Sequence, residues 1–187
     1  MSKNPMAIIV INNKEYIKLE LYPESAPNTV NSFIYVCNEG LYNNRPIKRI
    51  VKDFVIQPSY CNFEDPRCDF FIDGEFDDNG FHNDIKFNKW TVAMAGDGER
   101  IASGSEFFIT IGDNEERLNG KFAAFGKVIE GFDVLQRLAE VETKLVESDM
   151  EGVVIREPIK PEIITEAYVE TFGESYPKPV ILDRVNE

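Results

Sequence analysis

The stretch Lys48-Arg49-Ile50-Val51-Lys52-Asp53-Phe54-Val55-Ile56-Gln57, answered further along by Ser103-Gly104-Ser105-Glu106-Phe107-Phe108-Ile109-Thr110, decides how this chain folds. Both segments are short and rich in β-branched and aromatic residues, the composition of strands rather than helices. In a strand, residues two apart share a face, so Phe107, Ile109 and Ile111 point one way while Glu106, Phe108 and Thr110 point the other. The same parity sends Ile56 and Met94 inward and Val55, Gln57, Ala93 and Ala95 outward. A ring as large as Phe108 on an outer face needs cover. Either a loop or helix buries that face as a second core, or the face lines a groove; parity alone leaves both open.

Working outward, residues 6–12 and 16–22 alternate apolar and polar about Asn12-Asn13-Lys14, which is hairpin chemistry. Between Pro27 and Gly40, Val30, Phe33, Ile34 and Cys37 recur at helical spacing, with proline at the start and glycine as the stop. Strand-like segments follow at 46–51, 53–57, 91–95, 106–111 and 122–129, joined by loops rich in Gly, Asn and Asp. A second helical pattern, Phe132, Leu135, Leu138 and Ala139, comes after Gly131. An acidic connector at 141–160 is expected on the surface, a further strand at 161–172, and a C-terminal tail at 173–187. Regular short strands with two helices predict a mainly β, closed architecture in one domain spanning 1–172.

Composition narrows the function classes. With 20 Lys+Arg against 33 Asp+Glu the formal charge is −13, which repels nucleic acid and anionic lipid. No apolar run approaches the roughly 20 residues that span a bilayer, and the start has no secretory pattern, so a cytoplasmic protein without nucleic-acid or membrane partners is expected. Three cysteines, Cys37, Cys61 and Cys68, without a C-x-x-C, fit reduced thiols. The single histidine, His82, lies in a polar stretch and reads as a solvated loop residue; no zinc spacing is present, and no metal site is expected. No G-x-S-x-G elbow supports a serine nucleophile.

Three stretches, taken in order, resemble the cyclophilin family of peptidyl-prolyl isomerases: 48–57; Val92-Ala93-Met94-Ala95 followed by 103–110; and Leu118-Asn119-Gly120-Lys121-Phe122-Ala123-Ala124-Phe125-Gly126-Lys127-Val128-Ile129-Glu130-Gly131. Tyr22-Pro23-Glu24-Ser25-Ala26-Pro27-Asn28-Thr29-Val30 is similar to the family's first strand-to-helix junction. Residues 74–84 and the ending Val169-Glu170-Thr171-Phe172-Gly173 look most like bacterial single-domain members. The resemblance implies a closed antiparallel eight-stranded β-barrel capped by two α-helices, filled by its own side chains, with the substrate outside. It places Arg49 at the family's catalytic arginine. Phe54, Val55, Phe108 and Leu118 match the walls of the proline pocket, and Gln57, Ala95, Gly96 and Glu106 match groove positions. Phe122 stands where many relatives carry histidine. Parity and resemblance agree on Val55, Gln57, Ala95, Glu106 and Phe108, which favours the groove.

The implied reaction is rotation of Xaa-Pro bonds in proline-containing peptides or unfolded protein clients. Rotation sacrifices amide resonance, a barrier of about 18–20 kcal/mol, but makes and breaks no covalent bond, so no cofactor is expected. Several residues depart from the family pattern. Pro58-Ser59-Tyr60 replaces Gly-Gly-Asp after Gln57, predicting another loop path. Glu106 replaces glutamine, where a carboxylate either holds Arg49 in position or neutralises it. Residues 96–103 form a longer loop than usual. Arg117 occupies the position of a tryptophan important to cyclosporin binding, predicting weak or no affinity for that drug. The alternative function is a catalytically weakened, cyclophilin-like peptide or protein-binding module.

Overall fold

The computed structural model describes residues 3–183; of the expected tail, 184–187 lie outside the described residues, as do 1–2 of the expected domain. Its strands are β1 (Met6–Ile11), β2 (Glu15–Leu21), β3 (Arg45–Pro46), β4 (Arg49–Val51), β5 (Val55–Gln57), β6 (Phe71–Asp73), β7 (Thr91–Gly96), β8 (Ile101–Thr110), β9 (Ala124–Glu130), β10 (Thr143–Val146), β11 (Ile155–Pro158) and β12 (Ile163–Glu170). The helices are α1 (Pro27–Asn38), the single turn α2 (Glu115–Leu118) and α3 (Phe132–Ala139). Antiparallel pairing gives one curled sheet in the order β3-β12-β1-β2-β9-β7-β8-β5-β4, with β6 added to β8.

The two ends of that order, β3 and β4, are consecutive in the chain. Ile47 N–H donates to Glu162 C=O at 2.8 Å, and Lys48 N–H to Pro58 C=O at 3.0 Å. One bent run, 45–51, thus leans on β12 at its start and on β5 at its end, and counted once it gives the expected eight strands around the wall. Arg49 sits just after the bend, where the chain has crossed from one edge of the curl to the other.

The inward faces obey the parity rule. Phe107, Ile109, Ile111, Met94 and Ile56 belong to the main core, whereas Val55, Ala93 and Phe108 belong to a separate, smaller cluster outside the barrel wall. The barrel interior is filled by rings: Phe33 of α1 lies 5.4 Å from Tyr42 and 5.3 Å from both Phe107 and Phe125, centroid to centroid. Ala26 offers no side chain to cap α1, and buried Glu75 does so from afar, accepting from Asn28 N–H (3.0 Å), Thr29 N–H (2.8 Å) and Thr29 Oγ1–H (2.6 Å). Helix α3 is tied down by Arg137, whose fork reaches Glu15 at 2.8 Å and Glu162 at 2.9 Å.

Several boundaries differ from the sequence reading. The expected strand 53–57 begins only at Val55, because Asp53 adopts φ 58° in the turn that returns β4 into β5. Strand β8 starts at Ile101 rather than 106, since its first half pairs with β6, a short strand the loop-like composition of 62–73 concealed. The 141–160 stretch is not a plain connector: β10 and β11 pair as a hairpin that packs against β4. Through residue 183 the tail is laid along the outside, with Asn28 exchanging hydrogen bonds with the backbone of Val180 and Leu182 N–H donating to Phe71 C=O.

Phe33 is fully buried at the hub of the ring cluster. Phe33→Ala is expected to cost about 3–5 kcal/mol of stability, measured by denaturant unfolding; a loss below about 1 kcal/mol would contradict this description of the core.

Candidate active site

Strands β4, β5, β7 and β8 run side by side, and their outward residues meet α2 and the 119–123 turn over a cleft of about 470 Å³. All ten residues singled out from sequence line it: Arg49, Phe54, Val55, Gln57, Ala95, Gly96, Glu106, Phe108, Leu118 and Phe122. The cleft floor is apolar. Val55, Phe108 and Leu118 are buried, and Phe54, Ala95 and Phe122 are half-buried at its rim. Phe108 stacks on Phe87 at 6.1 Å and meets Phe122 edge-on at 5.8 Å, so the outer face forms a small second core whose upper side stays open as a groove. Both alternatives left by parity are therefore partly realised. Gly96 follows from close backbone approach at the mouth, since a Cβ there would lie 2.2 Å from Ile101 C=O.

Arg49 enters the cleft from β4 half-buried and held at two points. Its Nε–H donates to Val154 C=O at 2.8 Å, and Nη1 donates to Gln57 Oε1 at 2.7 Å. The Gln57 amide is oriented in turn, donating through Nε2 to Ser59 C=O at 2.7 Å. Burial, and then the neighbouring charge of Arg117, lower the Arg49 pKa from its usual value. No carboxylate pairs with Arg49 among the described residues, and Nη2 makes no hydrogen bond there.

Glu106 does neither of the two things weighed from sequence. Its Oε1 accepts from Ser59 Oγ–H at 3.0 Å and from Asn62 N–H at 2.5 Å. Ser59 Oγ itself accepts from Cys61 N–H (3.1 Å) and Phe63 N–H (2.8 Å). These bonds hold a loop in which Asn62, Phe63 and Glu64 all have left-handed φ, 49°, 54° and 55°, with no glycine to ease the strain. Burial of Phe63, 5.3 Å from Tyr42, anchors the same turn. Glu106 thus holds the loop that follows Pro58. Within the 96–103 stretch, Asp97 Oδ1 closes a turn by accepting from the N–H groups of Glu99, Arg100 and Ile101, each at 2.9 Å. Burial opposes ionisation of Asp97, but these bonds outweigh it and lower its pKa.

Sequence reasoning missed the hairpin's part in the site. Met150, Gly152 and Val153, from the β10–β11 turn, line the cleft beside Arg49. Tyr60 O–H donates to Glu157 at 2.6 Å, linking the 58–64 loop to β11; that bond, then burial, push the tyrosine pKa to about 12. Two short apolar runs, Leu145-Val146 and Val153-Val154-Ile155, on either side of Glu151-Gly152 were the available signal, masked by the acidic composition.

The fold and site together are a filled β-barrel with an external apolar groove and a fixed guanidinium at its edge, and comparison gives the family. The family described as "Cyclophilin type peptidyl-prolyl cis-trans isomerase/CLD" matches residues 6–160. The human peptidyl-prolyl cis-trans isomerase-like 1 is 33% identical over 158 residues, covering 82% of this chain and 92% of that protein. Arabidopsis thaliana CYP59 is 32% identical over 142 residues, covering 72% of this chain but only 28% of its own length. The chain likewise covers 22% of CYP71 from the same plant. A Cryptosporidium parvum cyclophilin-type isomerase superposes with a TM-score of 0.72 at 23% identity, covering 89% of this chain and 98% of that one, and was also solved in the presence of the dipeptide Ala-Pro. This chain belongs to the cyclophilin-type peptidyl-prolyl cis-trans isomerase family.

Burial raises the Glu106 pKa above the ordinary glutamate value, while the Asn62 N–H and Ser59 hydroxyl oppose the shift. A carboxyl that binds its proton more tightly when folded contributes stability below its unfolded pKa, and that contribution is lost as pH rises through the folded value. Glu106→Gln cannot ionise and escapes that loss. Its stability relative to wild type, from urea unfolding, is expected to be greater at about pH 7 than at about pH 4; an equal or reversed difference would contradict the assignment.

Proposed function

We propose that this chain accelerates cis-trans rotation about Xaa-Pro bonds in peptides and unfolded protein clients. The observation that carries the reading is a guanidinium anchored through Nε and Nη1, with Nη2 unbonded beside an apolar, aromatic cleft. The cleft takes the pyrrolidine ring, with Phe54, Val55, Phe108, Leu118 and Phe122 as its walls. Gln57, Ala95, Gly96 and Glu106 border the path of the peptide, Glu106 through the loop it holds. In the twisted transition state the prolyl nitrogen loses conjugation and gains a lone pair, and Arg49 donates to it more strongly than to the planar amide. Because the donor is already held, little reorganisation accompanies that gain. The Cryptosporidium protein solved with Ala-Pro supports a proline-containing ligand for this fold.

The same reading assigns the protein to the cytoplasm, consistent with three unpaired cysteines. No helix among the described residues is long and apolar enough to cross a membrane. The net charge of −13 disfavours nucleic-acid and anionic-lipid partners. Exposed Arg117 at the tryptophan position implies weak or no binding of cyclosporin. The second reading, a peptide-binding module with little turnover, draws on Pro58, Glu106 and Phe122; the absence of a Glu106–Arg49 contact among the described residues weakens its electrostatic basis.

Exchange spectroscopy on a short Ala-Pro peptide tests the two. Wild type is expected to accelerate interconversion, Arg49→Ala to lose roughly 100-fold or more, and Arg49→Lys most of the rate, because a lysine cannot keep both anchors and still present a donor. Binding without acceleration in the wild type would overturn the isomerase reading in favour of the module.

A further inference from the structure

Arg117 is the other cation at the cleft, and its bonding is unusual for this molecule. Among the described arginines, Arg45, Arg67, Arg100 and Arg137 pair with carboxylates, and Arg156 is bonded to Thr143. Arg117 is exposed, makes no side-chain hydrogen bond or ion pair among the described residues, and lies over the Phe54 ring at 4.1 Å. The chain has 33 acidic residues, yet none of those described pairs with Arg117. Glu115 and Glu116 are its neighbours on α2, but residues one and two apart on a helix do not face each other.

Neither carboxylate in the cleft lining pairs with Arg117: Asp97 Oδ1 accepts from three backbone N–H groups, and Glu106 Oε1 accepts from Ser59 and Asn62. The hairpin turn contributes Met150, Gly152 and Val153 to the lining, while its acids Glu147, Asp149 and Glu151 lie outside it. Two cationic groups without a carboxylate partner remain at the cleft, Nη2 of Arg49 and the edge of Arg117, both near the Phe54 ring, at 5.8 and 4.1 Å from its centroid. Stacking on a ring leaves the N–H edge of a guanidinium free to grip a carboxylate with two parallel bonds.

We infer that Arg117 is a specificity-determining residue and that the preferred substrates carry an acidic side chain within about two residues of the proline. The inference rests on the isomerase reading and names its substrate class; it places a local cationic patch on a chain whose net charge is −13.

The test uses matched Ala-Pro peptides with Glu, Gln or Lys placed before or after the proline, followed by exchange spectroscopy and by titration of the side-chain Nε–H signal of Arg117. Wild type is expected to favour the best Glu peptide over its Gln counterpart by about 5-fold in kcat/KM at low salt, with the advantage shrinking at high salt. Arg117→Gln should bring the Glu/Gln ratio close to one, and Arg117→Glu should shift preference to Lys. A wild-type ratio of one at every position, a preference for Lys, or a Glu preference that survives Arg117→Gln would overturn the inference. Turnover of the Gln peptide reports separately on the isomerase reading; were it absent, the Arg117 titration would still show whether the Glu peptide binds preferentially.

Discussion

The site depends on a positive charge held still without being cancelled. A carboxylate would fix Arg49 more strongly than neutral oxygens do, but it would also neutralise the field that the groove offers a ligand. Two neutral acceptors hold it instead, the Gln57 amide and the Val154 carbonyl, at 2.7 and 2.8 Å. Each comes from a different part of the fold. Gln57 lies opposite Arg49 across the β4–β5 pair, and Val154 reaches it from the hairpin packed on β4.

The loop beyond Gln57 is held by a separate set of contacts that leaves Arg49 untouched. Pro58 removes a flexible position, and the loop beyond it takes three consecutive left-handed residues at 62–64. Such a run costs about 1–3 kcal/mol per residue unless the surroundings impose it. Ser59, Glu106 and buried Phe63 supply the imposition. The Glu106 carboxylate is bonded within the loop and makes no contact with the guanidinium. Phe122 completes the apolar wall by meeting Phe108 edge-on.

Much of this was legible before any coordinates. Strand parity separated Phe107 from Phe108 and Ile56 from Val55 because a pleat is a strictly local property. The candidate site residues converge on one cleft because the motifs that carry them lie on paired strands β4, β5, β7 and β8. What escaped was what depends on contacts distant in sequence. The partner of Glu106 is decided by a loop more than forty positions away, at Ser59 and Asn62. The hairpin's role needs β11 to pack against β4, which no local pattern announces. The capping of α1 by Glu75 and the seating of Val180 on Asn28 are hidden for the same reason.

The most direct measurement is a crystal structure of the protein in complex with a short Xaa-Pro peptide. The expected result is the pyrrolidine ring seated against Phe54, Phe108, Leu118 and Phe122, with Arg49 still bonded to Gln57 and Val154 while Nη2 donates to the peptide at the proline. A peptide bound elsewhere on the barrel, or an Arg49 side chain swung out of the cleft in the complex, would contradict the account.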